Sequence, residues 1–281
     1  MNNKTLRKHS KIVDDFLYYI YRYIDTGIDI NEVCDKLGIS RFHFQRVFKE
    51  ITGKSPYEFI KSIRLQKSAS LLLTNRNTTI STIAQMCGYS SQSSFIKAFK
   101  TKFNTTPKLW REGGFKKLAK ANLPELKSFD NLNPKIMKTK PVQAYYIRHK
   151  GYTKEVKYIW QRLQSWLYHQ DIKEYRYIGL YHDNPAIIPL REFSYIAAVE
   201  IVSRESVDET LSKFTIPSTV CASFEIAGKY GDILKLIEWA HNNWLPSSGF
   251  DATTLPSFTI FKKNHFIEDS KFLATYYLPI K

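Results

Sequence analysis

The sequence predicts an all-α N-terminal domain with two helix-turn-helix units, followed by an α+β C-terminal domain of two pseudo-symmetric strand-helix-strand-strand units. Three observations predict this division. Apolar residues recur at spacings of three and four from Ser10 to Trp110, where prolines occur only at Pro56 and Pro107. From residue 135 onward, β-branched and aromatic runs alternate with helical segments. A pattern also repeats inside each half, which indicates two similar units in each domain.

The length of 281 residues suits two domains rather than one. We place the helical domain at residues 8–112 and the α+β domain at residues 135–281. Residues 113–134 between them contain Gly113-Gly114, a lysine cluster and Pro124, a composition typical of a linker.

The first helix-turn-helix unit is predicted from its helix ends. Asp29 is expected to cap a short helix that ends at Leu37. Gly38 would supply the positive φ that stops this helix, and Ser40 would cap a second helix over residues 41–51. A short turn containing glycine between two such helices is the signature of the motif.

The second unit is predicted because the first one recurs. VCDKLGIS at residues 33–40 returns as IAQMCGYS at residues 83–90, fifty positions later. The repeat predicts a helix over 80–87, Ser90 as a cap, and a second helix over 91–103. A long helix over 56–73 would join the two units.

The second helix of each unit separates an apolar face from a polar one. In the first unit, Phe44, Val47, Phe48 and Ile51 are predicted to face the core. A polar face of this kind can read DNA, because Gln pairs with adenine and Arg with guanine through two hydrogen bonds each. The candidate DNA-binding residues are Arg41, Phe42, Gln45, Arg46, Lys49, Ser91, Gln92, Ser93, Ile96 and Lys97. The alternative is an ordinary amphipathic helix with a solvated face.

The charge is uneven along the chain. Residues 1–120 hold 22 Lys and Arg against 9 Asp and Glu, whereas residues 121–281 hold 20 against 17. The net charge of +16 therefore belongs mostly to the helical half, as expected for a segment that neutralises the phosphates of double-stranded DNA. A merely soluble basic surface is the alternative.

The C-terminal half carries its own repeat. A strand through His149-Lys150-Gly151-Tyr152 leads into a helix with two tryptophans, and a strand through Gly228-Lys229-Tyr230 leads into another. The predicted strands include residues 142–147, 175–181, 195–202, 218–226 and 272–279. A cleft between the two units, walled by aromatic rings and a carboxylate, would suit a lipophilic small molecule. The candidate ligand-binding residues are Tyr146, Trp160, Tyr195, Glu200, Phe224, Glu225, Trp239 and Phe258. Plain core packing is the alternative for each aromatic residue.

Several classes of protein are excluded by what the sequence lacks. It has no run of 18 apolar residues and no apolar stretch near Met1, so neither a membrane span nor a secretory signal is expected. Cys34, Cys87 and Cys221 share no metal-ligand spacing and fit reduced thiols in a cytoplasmic, nucleoid-associated bacterial protein. Nucleophile-elbow, zinc-protease and phosphate-loop motifs are absent, so no enzyme and no cofactor are expected.

The motif residues of the helical half resemble the AraC/XylS-type transcriptional regulators over roughly residues 10–112. The resemblance is carried by SRFHFQRVFKEITGKSPYEFI and by GYSSQSSFIKAFKTKFNTTP. It implies base-reading roles for two sets of residues, Phe42, Gln45 and Arg46 in the first unit, and Gln92, Ser93, Ile96 and Lys97 in the second. The sequence departs from the family at Ile96 and Lys97, where polar residues and Arg are common. Lys lacks the planar fork with which Arg reads guanine.

The C-terminal half resembles the GyrI-like effector-binding domains, through HKGY at residues 149–152, GKY at 228–230, WLPSSG at 244–249 and YYLPI at 276–280. Relatives that bind cationic drugs place a Glu where this sequence has Thr259. Either Glu200 or Glu225 replaces that acid, or the ligand is uncharged, anionic or absent. An AraC-type DNA-binding domain joined to a GyrI-like domain implies, by this resemblance, an activator of stress or efflux genes. It would bind DNA as a monomer, act with RNA polymerase and respond to a small molecule.

Two other functions remain open on the sequence. A basic N-terminal half would also tether a module that sequesters a small molecule or a protein. A hydrolase of the GyrI-like type is the second alternative, since fold alone does not decide function.

Overall fold

Helices build the first part of the chain. The computed structural model describes residues 3–116, 129–202, 207, 210–268 and 271–281. Its first six helices are α1 (Asn3–Arg22), α2 (Ile30–Leu37), α3 (Arg41–Thr52), α4 (Pro56–Thr74), α5 (Ile80–Met86) and α6 (Gln92–Phe103). A short helix, Pro107–Leu109, continues as a π-helical turn, Trp110–Gly114. The predicted all-α N-terminal half is confirmed.

The ends of α2 and α3 confirm the predicted signals. Asp29 Oδ1 accepts a hydrogen bond from the Asn31 amide at 2.8 Å, and Ser40 Oγ accepts one from the His43 amide at 3.3 Å. Gly38 ends α2 with φ of 64°, a left-handed conformation that favours glycine. These local contacts turn the chain sharply between the two helices.

The second unit repeats the turn with one difference. Gly88 has φ of 74°, as its counterpart does in the first unit. The predicted cap, Ser90, is wrong, because Ser91 caps α6 by accepting a hydrogen bond from the Ser94 amide at 3.3 Å. The helix therefore begins at Gln92, one residue later than expected.

The two units have separate hydrophobic cores. The first packs α1, α2, α3 and the start of α4 around buried Phe16, Phe44 and Phe48. The second forms one continuous core with the helix-covered face of the C-terminal sheet, through residues such as Phe95 and Phe99. Ile51, predicted to face inward, is 41% exposed because it lies in the last turn of α3, beyond the core.

A single antiparallel sheet of eight strands forms the C-terminal half, which confirms the predicted α+β class. The strands are β1 (Lys135–Lys138), β2 (Val142–Lys150), β3 (Tyr175–Tyr181), β4 (Ser194–Ile201), β5 (Ser212–Ile216), β6 (Val220–Gly228), β7 (Ser257–Lys263) and β8 (Phe272–Pro279). Their order across the sheet is β1-β6-β8-β7-β3-β4-β2-β5.

Two helices cover one face of the sheet. Val156–His169 connects β2 to β3, and Asp232–Trp239, extended by the π-helical turn Ala240–Trp244, lies between β6 and β7. Two short helices, Leu245–Ser247 and His265–Glu268, complete the domain. We call this side the helical face, and we call the other side, which carries Tyr146, Ile196 and Phe258, the open face.

Only part of the predicted linker falls within the described chain. Residues 117–128 lie outside the described residues. On either side, Gly113 and Gly114 belong to the π-helical turn, and Phe129 is buried against Trp239. In the described ranges, no helix combines the length and the apolar character needed to cross a bilayer.

Among the described residues, hydrogen bonds join the N-terminal half to the C-terminal domain at α1 and around the end of α4, beside the shared core. The α1 helix lies on the open face, where Arg148 Nε donates to Asp14 Oδ1 at 3.2 Å. Beyond α4, the fully buried Asn75 bonds the backbone of Ala252 twice, accepting from its amide and donating to its carbonyl, each at 2.9 Å. Thr78 adds a hydrogen bond to Asp251 at 2.7 Å.

Asn75→Ala is expected to lower the free energy of unfolding by about 2 kcal/mol, because a buried amide and carbonyl of Ala252 both lose their partner. Chemical denaturation followed by tryptophan fluorescence measures the change. Thr78→Ala is the matched control at the same contact, and its half-buried hydroxyl should cost less than about 1 kcal/mol. Equal losses of stability in the two variants would contradict the larger contribution that we assign to the two Asn75–Ala252 hydrogen bonds.

Candidate functional site

The polar faces of α3 and α6 point away from both cores. Arg41, Gln45, Arg46 and Lys49 are all exposed on α3, and Phe42 is 80% exposed although it is aromatic. An exposed phenylalanine at the start of a helix is costly in water and suits contact with an apolar group such as a thymine methyl.

The α6 helix presents a smaller polar face. Gln92, Ser93 and Lys97 are exposed, Ile96 is half-buried, and Ser91 is exposed but already serves as the helix cap. The inward side of the helix holds Phe95 in contact with Tyr89, whose ring centroid lies 5.2 Å away. The buried ring holds the polar side of α6 outward.

Small intrahelical contacts orient the α3 face. Arg46 Nη2 lies 3.3 Å from His43 Nδ1, one turn earlier on the helix. At the other end, Gly53 takes φ of 75° and its amide donates to the Lys49 carbonyl, which ends the helix. The face runs from Arg41 to Lys49, and its guanidinium side chains are exposed to solvent.

The eight predicted ligand residues do not share one cleft, which corrects the sequence-based interpretation. Trp160, Tyr195, Phe224 and Trp239 lie in the core of the helical face. Tyr146 and Phe258 lie on the open face instead. Neighbouring residues of a strand point to opposite faces, so the sheet itself separates the two groups.

The two candidate acids are also displaced from the helical face. Glu200 lies beside Ala198 and Ile196 in the alternation of β4, on the open face, where it pairs with Arg176 Nε at 2.7 Å. Glu225 is exposed, and its carboxylate lies 3.9 Å from Lys262 Nζ. Neither carboxylate can therefore replace the missing acid at Thr259.

Thr259 belongs instead to a cluster that sequence reasoning missed. We call this the tyrosine cluster, and it consists of Tyr152, Tyr181, Tyr195, Thr259 and Tyr276, all buried on the helical face. Within the described chain, none of their five hydroxyls makes a hydrogen bond of standard length and angle, although Tyr181 lies near Thr259, Tyr195 near Trp160 and Tyr276 near Ser257. Such groups cost free energy unless a ligand or water satisfies them.

Gly179 leaves room for this cluster. A Cβ at this position of β3 would lie 2.9 Å from the Tyr195 hydroxyl and 3.0 Å from the Tyr181 hydroxyl. The hydroxyls of two neighbouring strands therefore converge over one glycine. Tyr276 lies in YYLPI, and its inward place in the alternation of β8 was an available signal; Tyr152, in HKGY, follows the end of β2 and had no such signal.

The tyrosine hydroxyls remain protonated at neutral pH. Burial raises the pKa of Tyr152 and Tyr195 well above the usual value of 10.0, and it also raises the pKa of Tyr181 and Tyr276. The cluster thus offers neutral hydroxyls, each able to donate and accept, between apolar walls.

Two family models match separate parts of the chain. The family described as helix-turn-helix domain matches residues 33–113, and the family described as GyrI-like small molecule binding domain matches residues 132–281.

Individual relatives match shorter stretches. The probable transcription factor PqrA of Proteus vulgaris is 37% identical over 105 residues, which are 37% of this chain and 85% of that protein. The right origin-binding protein of Escherichia coli strain K12 is 39% identical over 101 residues, 36% of this chain, and the match spans 34% of its own length. A transcriptional regulator with an AraC-type DNA-binding domain from Chromobacterium violaceum is 25% identical in its crystal structure, with a TM-score of 0.34, over 40% of this chain and 96% of that chain.

Proposed function

Because the chain belongs to the AraC-type helix-turn-helix regulators that carry a GyrI-like small molecule binding domain, we propose that it regulates transcription by binding one asymmetric DNA site with both helix-turn-helix units. The observation that carries the proposal is the pair of capped helices, α3 and α6, whose polar faces both point to solvent. The exposed candidate residues of these two helices, from Arg41 to Lys49 and from Ser91 to Lys97, are the proposed DNA contacts.

The dimensions of α4 support simultaneous binding. Its 19 residues span about 28 Å at about 1.5 Å per residue. Successive major-groove segments on one side of a duplex lie about 34 Å apart. One chain is then sufficient, so we propose that the protein binds DNA as a monomer.

The biological role follows as a further part of this proposal. We propose an activator of stress or efflux genes that works with RNA polymerase and is not an enzyme. The relatives named above are described as a transcription factor and an origin-binding protein, which supports a role at DNA.

We propose that the tyrosine cluster is the effector site. Its hydroxyls and its Thr259 favour a neutral lipophilic ligand over a cation, since two candidate acids lie elsewhere. Both halves of the GyrI-like domain contribute residues to this site.

The pseudo-symmetry of that domain is a proposal that the strand order supports. From the centre of the sheet, β3, β4 and β2 follow one another outward, and on the other side β7, β8 and β6 do the same. Each half also inserts one helix after its first strand. The tyrosine cluster draws on both halves, through Tyr195 of β4 and Tyr276 of β8.

A footprint on genomic DNA tests the function. We expect ordered protection of about two helical turns, because two recognition helices would occupy neighbouring groove segments. Binding should weaken steeply as salt rises, since phosphate contacts release counterions. Uniform protection without sequence preference would instead support a sequestering module that is merely tethered to nucleic acid.

Tyr152→Phe is expected to stabilise the empty protein by about 1 kcal/mol, because a buried hydroxyl without a partner is removed. The same change should weaken binding of a neutral lipophilic effector, whose polar group would lose one partner. Thermal unfolding with and without ligand measures both effects. A loss of stability in the empty protein would mean that the hydroxyl is already satisfied.

Tyr168→Phe is the matched control for this prediction. Tyr168 lies on the same helix-covered side of the sheet but is 84% exposed, so its hydroxyl is solvated in both states. It should change neither stability nor ligand affinity.

A further inference from the structure

A second cavity lies on the opposite side of the sheet from the tyrosine cluster. It lies between α1 and the open face and has a free volume of about 40 Å³. We call it the interdomain pocket, because both halves of the chain line it. Its main walls are Tyr18 and Tyr21 of α1 with Tyr146, Leu180, Ile196 and Phe214 of the sheet.

The walls suit a flat apolar body. Tyr146 and Phe214 meet edge to face with ring centroids 5.2 Å apart, and Tyr21 stacks on His182 at 3.6 Å. The free space is smaller than the about 300–1,000 Å³ of ordinary small-molecule sites, so a planar ligand would enter by parting α1 from the sheet. Aromatic walls of this kind recognise planar rings.

One charged group of the wall has unused hydrogen-bonding capacity. The Arg148 side chain is only 14% exposed; its Nε donates to Asp14, and its Nη1 lies 3.4 Å from Ser194 Oγ. Its Nη2 is buried and makes no hydrogen bond of standard geometry in the part of the chain that the structure describes, although the Tyr146 hydroxyl lies near the guanidinium. The hydroxyl of Tyr21, which is 7% exposed, likewise makes no hydrogen bond of standard geometry, although Ser194 lies near it.

These features specify an acceptor with negative charge. The two ionised side chains in the lining of the pocket, Arg148 and Arg22, are both cationic, and the carboxylates nearest to them, Asp14 on Arg148 and Asp183 near Tyr21, lie outside the lining. A carboxylate would accept from Arg148 Nη2 and from the Tyr21 hydroxyl at once, and hydrogen bonds between charged partners are the strongest of their kind. We propose that the interdomain pocket binds a small aromatic carboxylate, with its ring between the tyrosines and its anionic group on Arg148.

Binding there would reach the DNA-reading helix through α1. Asp14, Tyr18 and Tyr21 are spaced to share one side of α1, the side that faces the pocket. The other side places Phe16 against Phe44 and Phe48 of α3, with ring centroids 4.8 and 5.3 Å apart. A ligand that competes with Asp14 for Arg148 would loosen the hold on α1 beneath α3. This coupling, unlike the binding itself, rests on the proposed function.

Isothermal titration calorimetry of the full chain with naphthoate tests the site without DNA. We expect binding at the interdomain pocket, and we expect the uncharged naphthamide to bind there at least about tenfold more weakly, because it lacks the charge for Arg148. Binding that disappears when Leu255→Trp fills the mouth of the pocket is assigned to it. Equal affinities of the two compounds there, or no naphthoate binding there, would overturn the proposal.

Variants then place the ligand. Asp14→Asn with Arg148→Met removes the ion pair as a unit, and Leu255→Trp fills the mouth of the pocket while leaving Arg148 in place. Both should reduce naphthoate affinity at least about tenfold. Thr259→Val in the tyrosine cluster is the control and should leave the affinity unchanged. Loss in the control with retention in both pocket variants would place the ligand on the helical face and refute the proposal.

The link to DNA has its own readout. Naphthoate should change the Kd for the footprinted site in the original chain and not in the Leu255→Trp variant. Calorimetric binding without any change in this Kd would refute the coupling through α1 while leaving the site itself established.

Discussion

Gly88→Ala is expected to lower the free energy of unfolding by about 4 kcal/mol. A left-handed conformation costs an L-residue about 1–2 kcal/mol, and Gly88 has φ of 74°. The added Cβ would also lie 2.5 Å from the Ile24 carbonyl oxygen and 2.5 Å from Arg64 Nη2. Overpacking of this kind costs about 1–3 kcal/mol.

A small movement of the neighbouring groups cannot relieve the clash at Gly88. The Arg64 guanidinium is held by hydrogen bonds to the carbonyls of Ile24, at 3.2 Å, and Thr26, at 2.7 Å. Moving it away from the new methyl group would break both bonds, and the Ile24 carbonyl belongs to the backbone. Chemical denaturation, monitored by fluorescence and by circular dichroism, measures the loss.

Gly38→Ala is the matched control, because Gly38 occupies the same place in the first helix-turn-helix unit. Its φ is 64°, but no atom lies within 4 Å of an added Cβ. We expect a loss of only about 1 kcal/mol, from the backbone conformation alone. If both variants lost the same stability, packing at Gly88 would not be the cause.

Arg46→Ala is expected to weaken binding to the footprinted DNA site by about 10- to 100-fold, since one good bidentate pair contributes about 1–3 kcal/mol. Affinity for random DNA should hardly change, because a base contact carries the sequence information. Fluorescence anisotropy with the specific site, with each base substitution and with random DNA measures the difference.

Arg41→Ala provides the contrasting control at the start of α3. A phosphate contact there would weaken binding to all sequences alike and lower the salt dependence by about one unit of slope. If Arg46→Ala lost affinity equally on specific and random DNA, Arg46 would contact phosphate and the assignment of base reading to it would be wrong.

The helical half was predictable because its signals are local. Asp29 and Ser40 cap helices through bonds to residues two and three positions away, and Gly38 and Gly88 both take the left-handed conformation their positions require. The same signals recur fifty residues later, which supported the prediction of a second helix-turn-helix unit. The errors were small: Ser90 for Ser91 as cap is a shift of one residue within a run of two serines, and Ile51, expected inside, is exposed in the last turn of α3.

The candidate ligand site could not be predicted in the same way. Tyr146 and Tyr195 both read as buried strand aromatics, yet the sheet puts them on opposite faces. The convergence of Tyr181, Tyr195 and Tyr276 depends on strands that are distant in sequence and adjacent in the sheet order. The short edge strands β1 and β5 were missed because a few exposed or alternating residues resemble loop.

The amino-acid sequence by itself determined the two domain classes, the twin glycine turns and the outward polar faces of α3 and α6, since each depends on contacts within a few residues. Only the tertiary structure decided that Gly88 meets Arg64 while Gly38 meets nothing, and that α1 closes a pocket against Arg148. These outcomes depend on which distant surfaces pack together, and side-chain periodicity along one helix or strand does not specify its partner.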